Sequence, residues 1–407
     1  MLGFETAAKV HRAGTDRTLP LSQTIARAEG IRRAVGITRV ANVTGLDHIG
    51  IPVVAVFRPN SRSVSVFQGK GLTLDAARAS GLMEAIEAFH AERVEAPLLL
   101  ASCRDLRTRH PVVDVEGLPR LLTSQYHENL ELLWIEASDL RTGEPTWVPY
   151  ELVHMNYRLP LPAGSGAFYI SSNGLASGNH PLEAISHGIC ELVERDALTL
   201  RGLLSDDAKT ATRLDLSTVD DPESLQLLAL FERADVSVFV WDATSDIALP
   251  TFLCQIFDRA GSHRGLQAIQ GSGCHPRRSI ALNRALTEAA QTRLTAISGS
   301  RDDVLYRTYA QARERREIVV ERLAASRGAR SFRDVPSFES DDVGAYVERE
   351  LELLRRVDLD RVLFVDLTKR GIDLPVVRVV IPGLEGMAEF SGYVPGRRAR
   401  RLVGRES

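Results

Sequence analysis

The sequence predicts an α+β fold, with mixed or antiparallel sheets packed against long helices around a central pocket. Short β-branched runs such as Val53–Phe57, closed by Pro59, have the length and composition of strands. The succession of a strand, a glycine-containing turn and a polar helix also recurs three times, at residues 64–93, 168–200 and 265–297. This recurrence indicates that three similar units contribute to one structure.

The composition is that of an ordinary soluble globular protein. Of the 407 residues, 44% are hydrophobic and 25% are charged, and the net charge of −3 gives no positive field that would attract nucleic acid or a membrane surface. The first residues lack the apolar core of a secretion signal, and no run approaches the roughly 18 apolar residues of a membrane span. We therefore expect a cytoplasmic protein that binds neither nucleic acid nor membranes.

The four cysteines predict neither a zinc site nor a reactive thiol. Cys103, Cys190, Cys254 and Cys274 are scattered, and no CxxC motif occurs. Cys190 follows Ile189 inside a predicted helix, which favours a buried free thiol over a nucleophile.

The N-terminal part predicts a polar extension followed by strands. Residues 1–35 are polar and helix-prone, with a helical segment that leads into Ile31. The blocks GITRVANV, DHIGIPVVAVFRP and SVSVFQGKG have the composition of two or three antiparallel strands. A helix from about Leu74 to Arg93 follows, and Thr73 or Asp75 can cap it.

The rest of the chain continues with helices and strands. Residues 97–170 look like a separate sub-region that ends in a loop rich in Pro and Gly. A long helix then begins at Pro181, because a first helical position does not need the missing N–H. The expected elements after it are helices at 201–235, strands at 237–257, a turn at 271–276, a helix at 278–297 ending near Gly299, charged helices at 300–358, and strands in VLFVDLTK and VVRVVIPGLEG.

Three of the predicted helices carry polar side chains along one face, because residues about four, seven or eleven apart lie on the same side of a helix. These residues are Ser80, Glu84 and Glu87 in the first helix, Glu183, Glu191 and Glu194 in the second, and Arg284, Glu288 and Gln291 in the third. Asn179 precedes the second helix, Arg195 follows Glu194, and Arg293 comes two residues after Gln291. If the three faces converge, they enclose a pocket of carboxylates, amides and arginines.

Such a pocket would suit a nucleotide with Mg²⁺. Buried carboxylates do not stay ionised without a compensating charge, and magnesium is typically held by carboxylates together with substrate phosphates. Arg195 and Arg293 would suit phosphate oxygens through their planar guanidinium groups. An acidic surface network and a carboxylate-metal hydrolase remain as alternatives. The P-loop, Rossmann, HExxH and GxSxG motifs are absent, and His187 is expected to be packed or solvated rather than to act as a base.

Three segments of the chain resemble the signature blocks of YcaO-domain proteins: GKGLTLDAARASGLMEAIEAFHAE, SSNGLASGNHPLEAISHGICELVERDAL and ALTEAAQTRLTAISGSRDD. The resemblance extends from about residue 36 to 385, and the segment before it is similar to the subgroup associated with a TfuA partner protein. It implies a YcaO-like fold with a central nucleotide pocket, ATP and Mg²⁺ as cofactors, and ATP-dependent phosphorylation of a peptide backbone amide. It divides the chain into an N-terminal extension at 1–35 that contributes to the nucleotide site, a catalytic domain at 36–390 and a basic tail at 391–407.

The resemblance also assigns roles to individual residues. The nucleotide-binding residues would be Lys9, Arg17, Ser80, Glu84, Asn179, Glu183, Arg195, Gln291 and Arg293. The magnesium ligands would be Glu84, Glu87, Glu191 and Glu194, and the catalytic residues Glu191, Glu194 and Arg195.

Two departures from the family pattern bear on the product. Ala88 stands where the first block usually has an arginine, and the chain ends in RRARRLVGRES rather than in a Pro-rich tail. The ending favours formation of a thioamide. The resemblance implies a peptide or protein substrate, a TfuA-like partner and a homodimeric enzyme. An azoline-forming cyclodehydratase and a nucleotide-binding regulatory scaffold are the alternatives.

Overall fold

The computed structural model describes residues 6–259, 269–299, 328–388 and 392–406. Within these ranges the helices are α1 Leu21–Ile31, α2 Leu74–Glu92, α3 Cys103–Arg107, α4 Pro181–Gly202, α5 Asp206–Ala211, α6 Pro222–Arg233, α7 Arg278–Ser298, α8 Val343–Arg355 and α9 Arg397–Glu406. The strands are β1 Arg39–Asn42, β2 Val53–Phe57, β3 Val66–Lys70, β4 Leu98–Ser102, β5 Glu131–Asp139, β6 Pro145–Pro149, β7 Leu175–Ser177, β8 Leu214–Asp215, β9 Val236–Asp242, β10 Thr251–Asp258, β11 Ile269–Cys274, β12 Arg330–Ser331, β13 Leu363–Asp366 and β14 Val376–Val380.

The described strands form three antiparallel sheets and one short parallel pair. The first sheet has the order β1-β2-β3 and the second has the order β11-β10-β9. The third has the order β4-β5-β13-β14-β7, with β6 also paired to β5, and the parallel pair is β8 with β12. The α+β prediction is confirmed, as are the antiparallel strands expected before α2. The predicted charged helices at 300–327 lie outside the described residues.

The expectation that residues 97–170 form a separate sub-region is wrong. Strand β5 pairs with β13, with Leu363 opposite Asp139, so this region shares a sheet with the C-terminal strands. Trp134 and Ile135 of the same strand pair with β4 and β6 and are completely buried. Sequence separation concealed the connection, because the paired strands are more than 200 residues apart.

In each of the three recurring units a strand leads into a helix that packs near it: β3 into α2, β7 into α4, and β11 into α7. Residues 271–274 were predicted as a turn, but they belong to β11. A Cβ atom on Gly273 would lie 2.2 Å from the carbonyl oxygen of Ala281, and one on Gly271 would lie 2.2 Å from the amide nitrogen of Ala289. The glycines therefore serve the close approach of α7 to its strand rather than a turn.

The helix ends follow from local hydrogen bonding. The hydroxyl oxygen of Thr73 accepts a 3.1 Å hydrogen bond from the Ala76 N–H and caps α2, while Asp75 lies in its first turn. Pro181 is the first residue of α4, as predicted. Helix α7 ends before Gly299, whose φ of 55° is left-handed and suits glycine.

Each of the three long helices packs into its own apolar cluster. Leu82 and Ile86 of α2 belong to a cluster with the first sheet and β5, and Ile185 and Ile189 of α4 belong to a second with β14 and α8. Leu286 of α7 belongs to a third with β9, β10 and β11. The polar faces of these three helices are therefore not buried in the clusters and face a common space between them.

The predicted basic tail contains α9. Ala399 is fully buried, and Arg398 donates from Nε to both oxygens of Asp196 on α4 at 3.0 and 3.2 Å, with a further ion pair to Asp246. Residue 401 is exposed. This part of the basic tail is therefore attached to α4, the helix that carries Glu183, Glu191 and Glu194.

Candidate functional site

The polar faces of α2, α4 and α7 meet at a cavity of about 500 Å³, a volume in the range of small-molecule and cofactor sites. Ten of the twelve residues selected from the sequence line it: Arg17, Ser80, Glu84, Glu87, Asn179, Glu183, Glu191, Glu194, Arg195 and Gln291. Convergence of the three faces, which was conditional in the sequence, is therefore a feature of the structure. The binding role of each residue stays a prediction.

Glu87 and Glu191 accept hydrogen bonds from a turn and a strand beside the cavity. Ser177 donates its N–H and its hydroxyl to Glu87 Oε1 at 3.1 and 2.6 Å, and the Gly174 N–H donates to Glu191 Oε2 at 3.1 Å. Burial, together with the charges of Glu84 and Glu191, raises the pKa of Glu87 from 4.5 to about 8. Burial raises the pKa of Glu191 to about 6. A cation would favour the ionised form of both groups.

The turn that donates to Glu191 is held in place from behind by Arg378 of β14. This fully buried side chain donates from Nη1 to the carbonyl oxygen of Asn173 at 2.7 Å and from Nη2 to that of Val153 at 3.0 Å. Gly174 has a left-handed φ of 80°, and a Cβ on it would lie 2.5 Å from the Val379 carbonyl oxygen. Only glycine fits this position of the turn.

The hydroxyl of Ser272 joins two further carboxylates. It lies 2.6 Å from Glu194 Oε1 and 3.1 Å from Glu288 Oε1, and Lys70 forms an ion pair with Glu288. Burial raises the pKa of Glu194. Burial acts in the same direction on Glu288, but Lys70 and Arg195 outweigh it, so the pKa of Glu288 is lowered. Arg195 Nη1 lies 3.5 Å from Glu194, which places this arginine beside the carboxylates of its own helix.

Glu183 ties the N-terminal extension to the start of α4. It accepts hydrogen bonds from the hydroxyl of Thr18 at 2.6 Å, from the N–H of Thr18, and from the N–H of Asn179 at 2.8 Å. Asn179 in turn accepts from the hydroxyl of Thr24 on α1 at 3.0 Å. Arg17, next to Thr18, lines the cavity, and burial lowers its pKa. The extension thus forms part of the cavity wall.

Ser80, Glu84 and Gln291 also line the cavity, on α2 and α7. Gln291 donates from Nε2 to the carbonyl oxygen of Gln68 on β3 at 2.8 Å, which connects α7 to the first sheet. One turn of α2 separates Ser80 from Glu84, as their spacing predicted.

Lys9 and Arg293 are the two selected residues that do not line the cavity. Lys9 pairs with Asp16 at 2.8 Å, and its ammonium group lies 3.5 Å from the centre of the Tyr346 ring. Arg293 is 2% exposed and pairs with Asp47 and Asp258, each at 3.0 Å. The expectation that Arg293 faces phosphate is corrected: both sides of its guanidinium group are occupied by carboxylates outside the cavity.

His187 lies on α4 between Glu183 and Glu191 and lines the cavity. Its Nδ1 atom is buried and has no hydrogen-bond partner among the residues that the structure describes. Burial, followed by the charges of Arg284, Arg17 and Lys70, lowers its pKa well below 6.5, so the ring is neutral at pH 7.

Three cavity residues were missed when site residues were selected from the sequence. Arg284 and Glu288 lie on the predicted polar face of α7 but were given no role, and Lys70 at the end of β3 was not selected. The full charge inventory of the cavity is six carboxylates, Glu84, Glu87, Glu183, Glu191, Glu194 and Glu288, against four cations, Arg17, Lys70, Arg195 and Arg284. Cations and carboxylates together suit phosphates that carry a divalent ion.

The donor set fits magnesium that is shared with phosphate better than a site made of protein ligands alone. In the part of the chain that the structure describes, no group of three or more acidic, histidine or cysteine side chains is clustered closely enough to hold a metal ion. Mg²⁺ commonly takes one or two carboxylates and completes its octahedral shell with water and substrate phosphate oxygens. Glu87 and Glu191, with their raised pKa values, would gain most from such an ion.

The chain matches a known protein family. Residues 68–385 match the family model described as YcaO cyclodehydratase, ATP- and Mg²⁺-binding. The chain belongs to the YcaO family. The predicted family and its cofactors, ATP and Mg²⁺, are confirmed. The matched region begins in β3 and contains α2, α4 and α7.

Two YcaO relatives cover most of the chain. An uncharacterized protein in the tfuA 3′ region of Rhizobium leguminosarum bv. trifolii is 36% identical over 95% of this chain and 93% of its own length, which supports the TfuA-associated subgroup. An uncharacterized protein of Methanothermobacter thermautotrophicus is 35% identical over 88% of this chain and 92% of its own.

Two solved structures confirm the YcaO fold. The structure of YcaO from Methanopyrus kandleri bound with AMPPCP and Mg²⁺ matches with a TM-score of 0.72 at 23% identity, over 96% of this chain and 99% of that one. A heterocyclase in complex with substrate and cofactor matches with a TM-score of 0.79 at 22% identity. The match covers 99% of this chain but 57% of the heterocyclase, so the chain spans little more than half of that protein.

Ala88, which replaces the usual arginine, is 3% exposed and packs in the apolar cluster around α2.

Among the described helices, none has the length and apolar character needed to cross a membrane.

Proposed function

We propose that this YcaO protein uses ATP and Mg²⁺ to phosphorylate a backbone amide of a peptide or protein, and that the product is a thioamide formed with a TfuA-like partner. The observation that carries the proposal is the convergence of α2, α4 and α7 on one cavity with six carboxylates and four cations. The relative in the tfuA 3′ region favours the thioamide product and the partner. A homodimer is part of the proposal as the expectation for the family.

The roles of the residues follow from their positions. Glu84, Glu87, Glu191 and Glu194 would hold magnesium, which neutralises phosphate charge when it is bound. Ser80, Asn179 and Gln291 would orient the nucleotide, with Arg17 and Arg195 at the phosphates and Glu183 fixing the N-terminal wall. Lys70 and Arg284 join this set as cations of the cavity. Lys9 would act indirectly, because its ion pair with Asp16 fixes the extension internally and Asp16 also pairs with Arg277, which precedes α7.

The chemistry balances without a protein nucleophile. The amide oxygen attacks the γ-phosphorus of ATP, the bond to the β-phosphate oxygen breaks, and ADP leaves. Hydrosulfide then adds to the activated carbon, and the carbon–oxygen bond breaks to release inorganic phosphate and leave the C=S group. The enzyme contributes position and electrostatic stabilisation, for which a cavity of carboxylates and cations is suited.

The test combines purified enzyme, TfuA-like partner, ATP, Mg²⁺, sulfide and a candidate peptide. We expect ADP release that depends on the peptide, and a product whose mass differs from that of the substrate by the exchange of one oxygen for sulfur. Absence of ADP release under every combination would overturn the proposal in favour of a regulatory scaffold.

Azoline formation is the second candidate function, because the matching family model is named for cyclodehydratases. In that reaction a Cys, Ser or Thr side chain attacks the activated amide in place of hydrosulfide. The same assay separates the two: a product lighter by one water, formed without sulfide, would replace the thioamide proposal.

A further inference from the structure

A second, smaller pocket of about 70 Å³ lies beside the part of the cavity that Glu191 lines; we call this part the carboxylate end of the cavity. A single water occupies about 10–15 Å³ by this measure, so the pocket admits several heavy atoms. Its floor consists of the buried side chains of Leu118, Leu192, Val379, Ile381 and Leu384. Partly exposed residues form its rim, namely Pro119, Tyr169, Ser171 and Met387.

Only a short turn separates this pocket from the cavity. Ser172 lines the cavity, whereas its neighbours Ser171 and Asn173 line the pocket. On α4, Glu191 lines the cavity and the next residue, Leu192, lines the pocket. An extended peptide advances about 3.3 Å per residue, so two or three residues would reach from one space to the other.

The floor of the pocket suits an aliphatic group, and the Oδ1 atom of Asn173 in its lining is buried without a hydrogen-bond partner among the described residues. Glu385, the one carboxylate among the lining residues that the structure describes, already accepts hydrogen bonds from the Tyr393 hydroxyl at 2.5 Å and from the N–H groups of Gly396 and Ala399 at 2.8 and 2.9 Å. A charged side chain that entered would lose its water without gaining a free partner from this group, which is unfavourable. Aliphatic carbon would gain burial against the leucine and isoleucine floor.

The wall of the pocket formed by residues 383–388 is fixed in place. The N–H of Glu385 donates to Asp196 at 2.9 Å, and the hydroxyl of Thr199 donates to the carbonyl oxygen of Gly386 at 2.7 Å. The Gly383 N–H donates to the Gly117 carbonyl at 2.7 Å on the opposite side. The pocket is therefore preformed, and its geometry is coupled to the same helix that carries Glu191.

We propose that this pocket is a specificity subsite that binds an aliphatic side chain of the peptide substrate, two or three residues from the amide that is activated. The proposal rests on the proposed function for the nature of the substrate. The pocket and the 171–174 turn together define which amide lies at the carboxylate end of the cavity.

The test uses photo-crosslinking, which requires no turnover. The probes are short capped peptides that carry a diazirine analogue of leucine at one position, added to the full-length protein with Mg²⁺ and a non-hydrolysable ATP analogue. We expect crosslinks to residues 118–119 or 379–387 in the wild type. Met387→Asp places a charge on the rim, and we expect it to reduce the labelling about tenfold with unchanged affinity for the ATP analogue.

Leu225→Asp is the matched control, because this residue of α6 is 45% exposed and lines neither pocket. It should label as the wild type does. Labelling that maps only to other surfaces, or that is equal in Met387→Asp, would overturn the subsite.

A separate measurement distinguishes this failure from failure of the proposed function. ADP release is measured with matched peptides that carry Leu or Asp at the same position. Labelling of the pocket without ADP release would refute the proposed function and support the subsite as a binding site. ADP release that does not distinguish Leu from Asp would overturn the subsite alone.

Discussion

Ser272 shows how one hydroxyl group organises two carboxylates from different helices. It has a single proton to donate, yet it lies within hydrogen-bond distance of both Glu194 and Glu288. The charge of Lys70 resolves this competition, because it stabilises ionised Glu288 and leaves Glu194 as the group with the raised pKa. Individual carboxylates of the cavity therefore differ in proton affinity, although the sequence presents them as equivalent glutamates.

We expect Glu191→Ala to abolish Mg²⁺-dependent ATP binding while the fold remains intact. The Glu191 side chain accepts a hydrogen bond from the Gly174 N–H and is a predicted magnesium ligand. Loss of a metal ligand should lower the affinity for ATP with Mg²⁺ by at least about 100-fold. Calorimetric titration with ATP and Mg²⁺, alongside circular dichroism, measures both effects. Glu116→Ala, an exposed substitution outside the cavity, is the control. Unchanged affinity in Glu191→Ala would refute the assignment.

The pKa of Glu87 predicts a pH dependence of stability in the nucleotide-free protein. Because its pKa in the folded state is about 8 rather than 4.5, the folded protein retains a proton that the unfolded chain has lost. The stability contributed by this group is complete below pH 4.5 and is lost as the pH rises to about 8. We expect the free energy of unfolding to decline less steeply across this range in Glu87→Gln.

Urea unfolding at several pH values measures the slope for Glu87→Gln. Glu116→Gln should retain the wild-type slope, because this side chain is 67% exposed. Equal slopes in Glu87→Gln and the wild type would show that burial of Glu87 does not hold the proton.

The face of a helix could be predicted from sequence, but the partners of a long side chain outside that face could not. Spacing selected Ser80, Glu84 and Glu87 because residues at i, i+4 and i+7 project to the same side. Arg293 follows Gln291 by two residues, which turns it by about 200° around the helix, and it accordingly faces Asp47 and Asp258. The expectation that Arg293 faces phosphate did not take this angle into account.

At the scale of elements, the three strand–helix units depend on glycines that have no side chain to separate the layers. Gly69 of β3 is packed as tightly as Gly271 and Gly273 of β11: a Cβ on it would lie 2.0 Å from the backbone of α2 at Ala77 and Gly81. The sequence showed the glycines but not this function, because turn glycines and packing glycines look the same until the partner helix is known.

We expect Gly273→Ala to destabilise the protein by at least about 1–3 kcal/mol, the usual cost of overpacking, because its new Cβ would meet backbone atoms of α7 that cannot rotate away. Chemical denaturation measures the change. Gly202→Ala, at the end of α4 with no atom within 4 Å of the added Cβ, should be neutral or slightly stabilising. A neutral Gly273→Ala would contradict the close packing of α7.

At the scale of the whole molecule, both ends of the described chain are attached to α4. The N-terminal extension bonds Glu183 at the start of α4, and α9 bonds Asp196 near its end. The resemblance predicts that the extension contributes to the site, but the attachment of α9 could not be predicted, because its partners lie about 150 to 200 residues away in the sequence. A similar separation in sequence explains why Lys70 could not be predicted: its partner Glu288 is 218 residues further on.

We expect Arg398→Ala to destabilise the protein by about 3–5 kcal/mol, because it leaves the fully buried Asp196 without its charge partner. Thermal or urea unfolding provides the measurement. Adding Asp196→Asn should recover part of the loss, since the uncompensated charge is then removed, and the exposed Arg401→Ala should have little effect. Additive effects of the two substitutions would argue against a direct pair.

The cavity lies between three apolar clusters, and each cluster contributes one of its walls. It exists in full only when α2, α4 and α7 have all docked, so no partly folded piece offers the complete set of contacts. A nucleotide that binds there favours the folded chain by mass action. ATP would in this sense stabilise the fold in addition to serving as a cofactor.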